Sequence, residues 1–193
     1  KTANGTINKV AFTFSDNKLS YIQANGNIYK TFVEKRKDTA RAYVDYEVYV
    51  KDKLFIKEKE DVAWILTSEG MHTGLFAWRN PYLNENYSVK LNTGTNIPEF
   101  IEMGEALEVL KPILELNSEF TYIEKLDDSD PNAQLQINCF GVDYLGFPRK
   151  IEARFGNKKL NVVWILTAKA EEDRIRQALI NQYGKPIFVN DDW

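Results

Sequence analysis

The sequence predicts an α+β fold in which antiparallel sheet is covered on one face by helices, and in which the units are pseudo-duplicated. Three observations lead there. Apolar and polar residues alternate at period two over many short runs, as at Val10, Phe12 and Phe14 against Ala11 and Thr13. Helical spacing occurs over far fewer residues, chiefly around 28–36, 100–116 and 171–183. Finally, stretches recur. Val62-Ala63-Trp64-Ile65-Leu66-Thr67 returns almost unchanged as Val162-Val163-Trp164-Ile165-Leu166-Thr167.

The elements follow in order. Val10 to Phe14 is a strand, Ser15-Asp16-Asn17-Lys18 is turn chemistry, and Leu19 to Ala24 returns, which makes a hairpin. After the Asn25-Gly26-Asn27 break, Ile28, Tyr29, Phe32, Val33 and Arg36 fall at helical spacing, so a short helix covers the hairpin. Ala42 to Val50 alternates strictly and predicts one strand. Val44, Tyr46, Val48 and Val50 form its dry face; Tyr43, Asp45, Glu47 and Tyr49 form its wet face. Leu54 to Ile56 and Asp61 to Thr67 are strands, Ser68-Glu69-Gly70 turns, and Gly74 to Trp78 comes back to Asn80-Pro81. The polar stretch Tyr82 to Asn96 predicts a linker. Asn96 is placed to cap a helix with Pro98 in its first turn, running from Phe100 to Leu116 and kinked or broken near Pro112.

In the second half, Phe120 to Ile123 and Gln134 to Tyr144 are strands, the latter bulged near Gly141. Ile151, Ala153 and Phe155 alternate with Glu152 and Arg154; Gly156-Asn157-Lys158-Lys159 turns; and Leu160 to Thr167 is the repeated strand. Glu171 to Tyr183 is a helix with acids first, Gly184 as its C-cap and Lys185-Pro186 as its stop.

Two repeat alignments compete. The Trp-Ile-Leu-Thr strand recurs at a spacing of 100 residues, Val62 against Val162. The hairpin Val10 to Leu19 matches Ile151 to Leu160 at a spacing of 141, and that match includes the strand, the turn, the return and a following helix. It outweighs the first, which then reads as two central strands buried on both faces. The division that follows is a first αβ unit over 1–95 and a second over 96–193, with one continuous domain as the alternative. The hairpin-strand-helix pattern, carried by Phe155 to Leu160 and Tyr183-Gly184-Lys185-Pro186 with an echo at Phe14 to Leu19, resembles the tandem helix-plus-sheet modules of the β-lactamase-inhibitor-protein-like class. The resemblance covers about half of the chain. It implies an exported bacterial protein with a binding role, and it assigns no functional residue.

Composition narrows the functions. Hydrophobic residues make up 44% of the 193 positions and charged residues 27%, which is ordinary for a globular protein. Ten Tyr and eleven Phe favour sheet. A net charge of −3 and a pI near 5.4 give no basic footprint for nucleic acid. No apolar run is long enough to span a bilayer. The polar start Lys1-Thr2-Ala3-Asn4-Gly5 suits a terminus left by signal cleavage and equally a trimmed chain, and localisation is read as periplasmic or secreted. The sequons Asn4-Gly5-Thr6 and Asn86-Tyr87-Ser88 carry meaning only in a eukaryotic secretory context.

Catalytic chemistry is thinly represented. One Cys and one His make a zinc site improbable, and no metal or cofactor is implied. Cys139 lies in an apolar strand pattern with no neighbouring acid or His to activate it, so it reads as a buried thiol. Asp128, Asp130 and Asn132 open like a calcium loop, but Ala133 replaces the expected Gly and Cys139 the closing acid. Gly141 to Gly146 has glycines at phosphate-loop spacing without the Lys-Ser or Lys-Thr that must follow.

The expectation is therefore a non-enzymatic binding or interaction domain that uses an aromatic sheet face, with Tyr43 and Tyr49 as exposed contact residues. The alternative is a ligand-binding protein or enzyme with a pocket near Trp64, His72 and Trp78. His72 would then sit in a turn between two strands, with Arg79 and Tyr82 close by for stacking and cation–π contacts. The partner is a protein or a small molecule, and the enzyme reading is the lesser one.

Overall fold

The structure is a computed structural model of the chain that describes residues 7–34, 36–43, 45–73, 96–145, 147–167 and 169–189. It is an α+β fold with two antiparallel sheets. The first has the order β1-β2-β6-β5-β4-β3 and is built from β1 (Lys9–Ser15), β2 (Lys18–Asn25), β3 (Arg41–Tyr43), β4 (Tyr46–Tyr49), β5 (Leu54–Lys57) and β6 (Val62–Leu66). The second has the order β10-β9-β8-β7, from β7 (Phe120–Lys125), β8 (Leu135–Tyr144), β9 (Phe147–Gly156) and β10 (Lys159–Ile165). The helices are α1 (Ser68–Thr73), α2 (Leu107–Leu116) and α3 (Glu172–Tyr183).

The sheets face each other. Tyr43, Tyr46, Val48, Phe55, Val62, Trp64 and Leu66 of the first form one core with Phe120 and Phe140 of the second. Phe120 and Phe140 stack with centroids 4.3 Å apart, and Tyr43 meets both edge-on at 5.4 and 6.0 Å. Edge-to-face and offset stacks are the favoured aromatic geometries, worth roughly 0.5–1.5 kcal/mol per pair beyond burial. The outer face of the second sheet packs Ile137, Cys139, Ile151, Ala153 and Phe155 against Leu110 and Leu114 of α2. The outer face of the first packs Tyr49, Leu54, Ile56 and Ala63 against Ile28 and Val33. Each sheet thus has helix outside and sheet inside.

Local chemistry sets the connections. At the β1–β2 turn Asp16 and Asn17 have φ of 48° and 62°, and at the β9–β10 turn Asn157 and Lys158 have 50° and 62°. Positive φ at both central residues is the tight hairpin turn whose twist matches the strands. Each hairpin also carries one extra residue, Ser20 and Asn161, at the bulge next to its turn. The two hairpins that match in sequence therefore match in local geometry. Their places differ: β1 is outermost and β2 internal, whereas β9 is internal and β10 outermost. Gly141, at φ 79°, sits in the register shift of β8, where an added Cβ would lie 2.3 Å from the Glu119 side chain.

Several expectations are corrected. The stretch 42–50 is a hairpin, β3 and β4, with Tyr43 paired to Tyr46 and Arg41 to Val48. Alternation continues through the turn, so period alone hid the reversal. The helix near residue 30 is one wide turn, closed by the Glu34 N–H on the Tyr29 carbonyl at 3.0 Å. The Asp61 carboxylate fixes its start by accepting the N–H groups of Asn27 and Ile28. Residues 68–73 are helix and not a turn. Gly70 packs so close to β2 that a Cβ would lie 2.2 Å from the Ser20 carbonyl. The helix expected from Phe100 starts at Leu107 and runs through Pro112, because 104–106 pair instead with the end of the β9–β10 hairpin. Asn96 caps no helix; its Oδ1 accepts from Tyr183 Oη and Gln182 Nε2, both at 2.6 Å. Of the repeated strands, β6 is central, but β10 is an edge with Trp164 43% exposed. The strand expected at 74–78 and most of the linker expected at 82–96 lie outside the described residues.

Charge pairing, with no buried side chain of its own, fastens α3. Buried Arg149 donates to both oxygens of Glu171 at 2.8 and 3.0 Å, and Arg174 donates to Glu171 at 2.5 Å. Arg149 also donates to the Tyr144 carbonyl and Arg174 to the Leu145 carbonyl. Burial alone would push the Glu171 carboxyl up, but the two guanidinium groups outweigh it and hold the group below its ordinary range.

Phe120→Ala is expected to cost about 3–5 kcal/mol, read as a lower urea midpoint at unchanged slope. For Glu171 the folded value is depressed, so its contribution is present above the unfolded value of 4.5 and fades as pH falls through the folded one. Amide exchange should show α3 losing protection below that pH in the wild type, whereas in Glu171→Gln the protection is low already at neutral pH.

Candidate functional site

The residues expected to act together are dispersed. Trp64 is buried between the sheets, with its ring edge-on to Tyr46 at 5.6 Å, so it belongs to the core. His72 lies in α1, not in a loop tip. Trp78, Arg79 and Tyr82 lie outside the described residues. Tyr43 and Tyr49, expected on one exposed face, are both buried, and they point to opposite faces of the first sheet. The pairing of Tyr43 with Tyr46 is the reason: it puts both on one face and inverts the parity of everything after it. Burial pushes the Tyr43 hydroxyl far above its ordinary range, so that group stays neutral.

The exposed aromatic row is elsewhere. Val10, Phe12 and Phe14 are 49%, 59% and 62% exposed on β1, the outermost strand of its sheet. They face Ala24, Ile22 and Leu19 of β2, so all three project from the outer face of the sheet. The helical turn at 29–33 was expected to cover this hairpin. It packs on Ala24 of β2 together with Tyr49, Leu54, Ile56 and Ala63, held there by Asp61, so it covers the β2 side of the hairpin, and among the described residues the β1 side of the face stays open. The hairpin is held from behind. Thr67 Oγ1 donates to the Leu19 and Ser20 carbonyls at 2.7 and 3.0 Å, and Lys18 pairs with Glu69 at 3.6 Å. An exposed apolar row on an edge strand can take up another apolar surface or an added strand.

A second cluster was missed in the sequence. The inner face of the second sheet carries Gln136, Asn138, Lys150, Glu152 and Arg154, of which all but Arg154 are buried. Asn138 lies opposite Glu152 and Gln136 opposite Arg154. Lys150 Nζ donates to Glu152 Oε1 at 2.8 Å; Arg154 donates to Glu152 Oε2 at 3.3 Å and to Gln136 Oε1 at 2.8 Å. Gln136 in turn donates to Asn138 at 2.8 Å. Burial lowers the Lys150 amine below its ordinary range, against the opposing pull of Glu152. A buried amine of this kind is a candidate for chemistry. Here its Nζ also donates to the Met71 carbonyl at 3.4 Å and lies over the Phe140 ring, which fits a fastening between the second sheet and α1. The signal was present as alternation in β8 and β9, but a buried polar face and a wet one alternate identically.

Cys139 is buried and its thiol is pushed up to about 12 by desolvation, which leaves it unreactive. In the acidic loop, Asp127 and Asp130 accept the N–H groups of Ser129 and Asn132, both at 2.8 Å, and so close their own turns. Among the described residues no group of three His, Cys, Asp or Glu is placed to hold a metal, and no helix is long and apolar enough to cross a membrane.

No protein-family model, curated protein or solved structure matches the chain. The β1 row is the candidate site on its own geometry, and the polar ladder is what holds the sandwich behind it. Glu152→Gln should cost about 3 kcal/mol in denaturant unfolding, because it leaves the buried Lys150 ammonium beside an amide in place of its carboxylate and takes the same partner from half-buried Arg154. A cost no larger than that of an exposed Glu→Gln change would show that the ladder is solvated.

Proposed function

We propose that this chain is a non-enzymatic interaction domain that docks a protein partner on the open outer face of the β1–β2 hairpin. The exposure of Val10, Phe12 and Phe14 in a single row carries the reading. Large apolar residues at alternate positions of an edge strand offer side-chain contact on one face and backbone N–H and C=O groups along the rim, the two components of strand addition. The expected partner segment is extended, with large apolar residues at every second position. The reading keeps the expectation of an aromatic sheet face and moves it from Tyr43 and Tyr49 to Phe12 and Phe14. Export belongs to the same proposal; its support is the resemblance at Phe155 to Leu160 and Tyr183 to Pro186, and fractionation of cells carrying the natural gene tests it.

Paired substitution of Phe12→Ser and Phe14→Ser separates a docking face from a core. Thermal or urea unfolding should shift by no more than about 0.5 kcal/mol per site, the range of surface changes. In panning of a random-peptide display library, the wild-type chain should enrich sequences with apolar residues at alternate positions, and the double variant should lose that enrichment. Equal enrichment by both proteins overturns the assignment of the site.

A further inference from the structure

The strand that forms the docking face is itself a segment of the kind that face is built to receive. β1 is extended, and Val10, Phe12 and Phe14 place large apolar side chains at every second position. Its free edge also differs from the others. Among the described residues four strands end a sheet: β1, β3, β7 and β10. Exposed edges are normally blunted by shortness, by charge or by a bulge. β3 has three residues and begins with Arg41, and β7 ends on Glu124 and Lys125. β10 begins with Lys159 and carries a bulge of its own at Asn161. β1 has seven residues, and none from 10 to 15 is charged. The extra residue of its hairpin, Ser20, belongs to β2, so β1 itself is not bulged.

Two copies of β1 can pair antiparallel about a twofold axis normal to the sheet, which sets outer side chains beside outer side chains. One register places every member of the row opposite another apolar residue. Phe12 faces its own counterpart, and Val10 faces Phe14 on either side of it. Moving the pairing by two residues in one direction leaves Phe14 opposite Asn8, and in the other leaves Val10 opposite Asp16. The favoured register also sets Lys9 opposite Ser15, with Asp16 next along the partner strand, and the twofold repeats this at the other end. Lys9 and Asp16 are exposed, and neither takes part in the ion pairs found among the described residues. No two like charges fall directly opposite.

Resting on the hairpin as the docking face, we propose that its partner is a second copy of this chain, joined β1 to β1 with Phe12 on the twofold axis. The two six-stranded sheets then continue into one. The contact uses the same patch on both molecules, so it consumes both free β1 edges and stops at a dimer.

Sedimentation across a concentration series reads the association. Phe12 is 59% exposed, so Phe12→Lys and Phe12→Glu chains should fold as the wild type does, which urea unfolding checks. Each puts like charges face to face on the axis and should weaken association by at least about tenfold. An equimolar mixture of the two should recover it, because Lys then faces Glu, and this recovery requires that residue 12 meets itself. A second open apolar surface provides the control. Ile175, Leu179 and Ile180 of α3 line a groove of about 680 Å³ beside the exposed residues 187–189, and Leu179→Ser should leave association unchanged. A wild-type chain that stays monomeric at the highest attainable concentration overturns the proposal. So does a mixture no more associated than either charged variant, or a dimer that Leu179→Ser abolishes. Peptide enrichment by a monomeric chain would leave the docking face in place and remove self-pairing, whereas a dimer with charge recovery but no peptide enrichment would do the reverse.

Discussion

The stack of Phe120 on Phe140, with Tyr43 and Phe55 edge-on around it, is the contact on which the rest depends. Through Tyr43 and Phe55 it joins the first sheet to the second, and it explains why each sheet has one apolar inner region. Once the sheets close over these rings, the outer faces must be covered by helix or left exposed. On the second sheet α2 covers the face with Leu110 and Leu114. On the first sheet the turn at 29–33 covers only part, and the remainder is the β1 row.

Polar groups determine how the sandwich is held at its margins. The ladder of Gln136, Asn138, Lys150, Glu152 and Arg154 continues the inner face of the second sheet beyond the aromatic stack. Buried ion pairs contribute little net stability compared with apolar packing, but removing one partner is costly. Its ion pairs run along β9, and the Arg154 bond to Gln136 ties that strand to β8. The Arg149–Glu171–Arg174 clamp acts in the same way on α3, fixing its first turn while leaving its apolar stripe open.

The two open apolar surfaces, the β1 row and the α3 groove, differ in construction. The first is an edge strand whose neighbour β2 is tied to residues 67–69 by Thr67 and Lys18. The second is a helix face beside an extended apolar segment. An open edge suits an extended partner strand; a concave helix face suits an inserted side chain.

The sequence by itself determined the class of fold, most of the described strands and the turns of the two matching hairpins. Asp16-Asn17 and Asn157 predicted their hairpins because few residue types other than Gly, Asn and Asp accept left-handed backbone cheaply, and that preference acts locally. Gly141 marked its bulge for the same reason, and Gly184 the end of α3. What period two could not distinguish was a wet face from a buried polar one, or one long strand from a hairpin that reverses without breaking the alternation. Tyr43 and Tyr49 were misplaced by the second ambiguity, and Glu152 and Arg154 by the first. Whether an alternating face meets water is decided by which sheet or helix lands on it, and that contact joins residues far apart in the chain. Tertiary structure alone therefore buried Trp64 and Tyr43, put the repeated strand of β10 at an edge, and left Phe12 and Phe14 open to a partner.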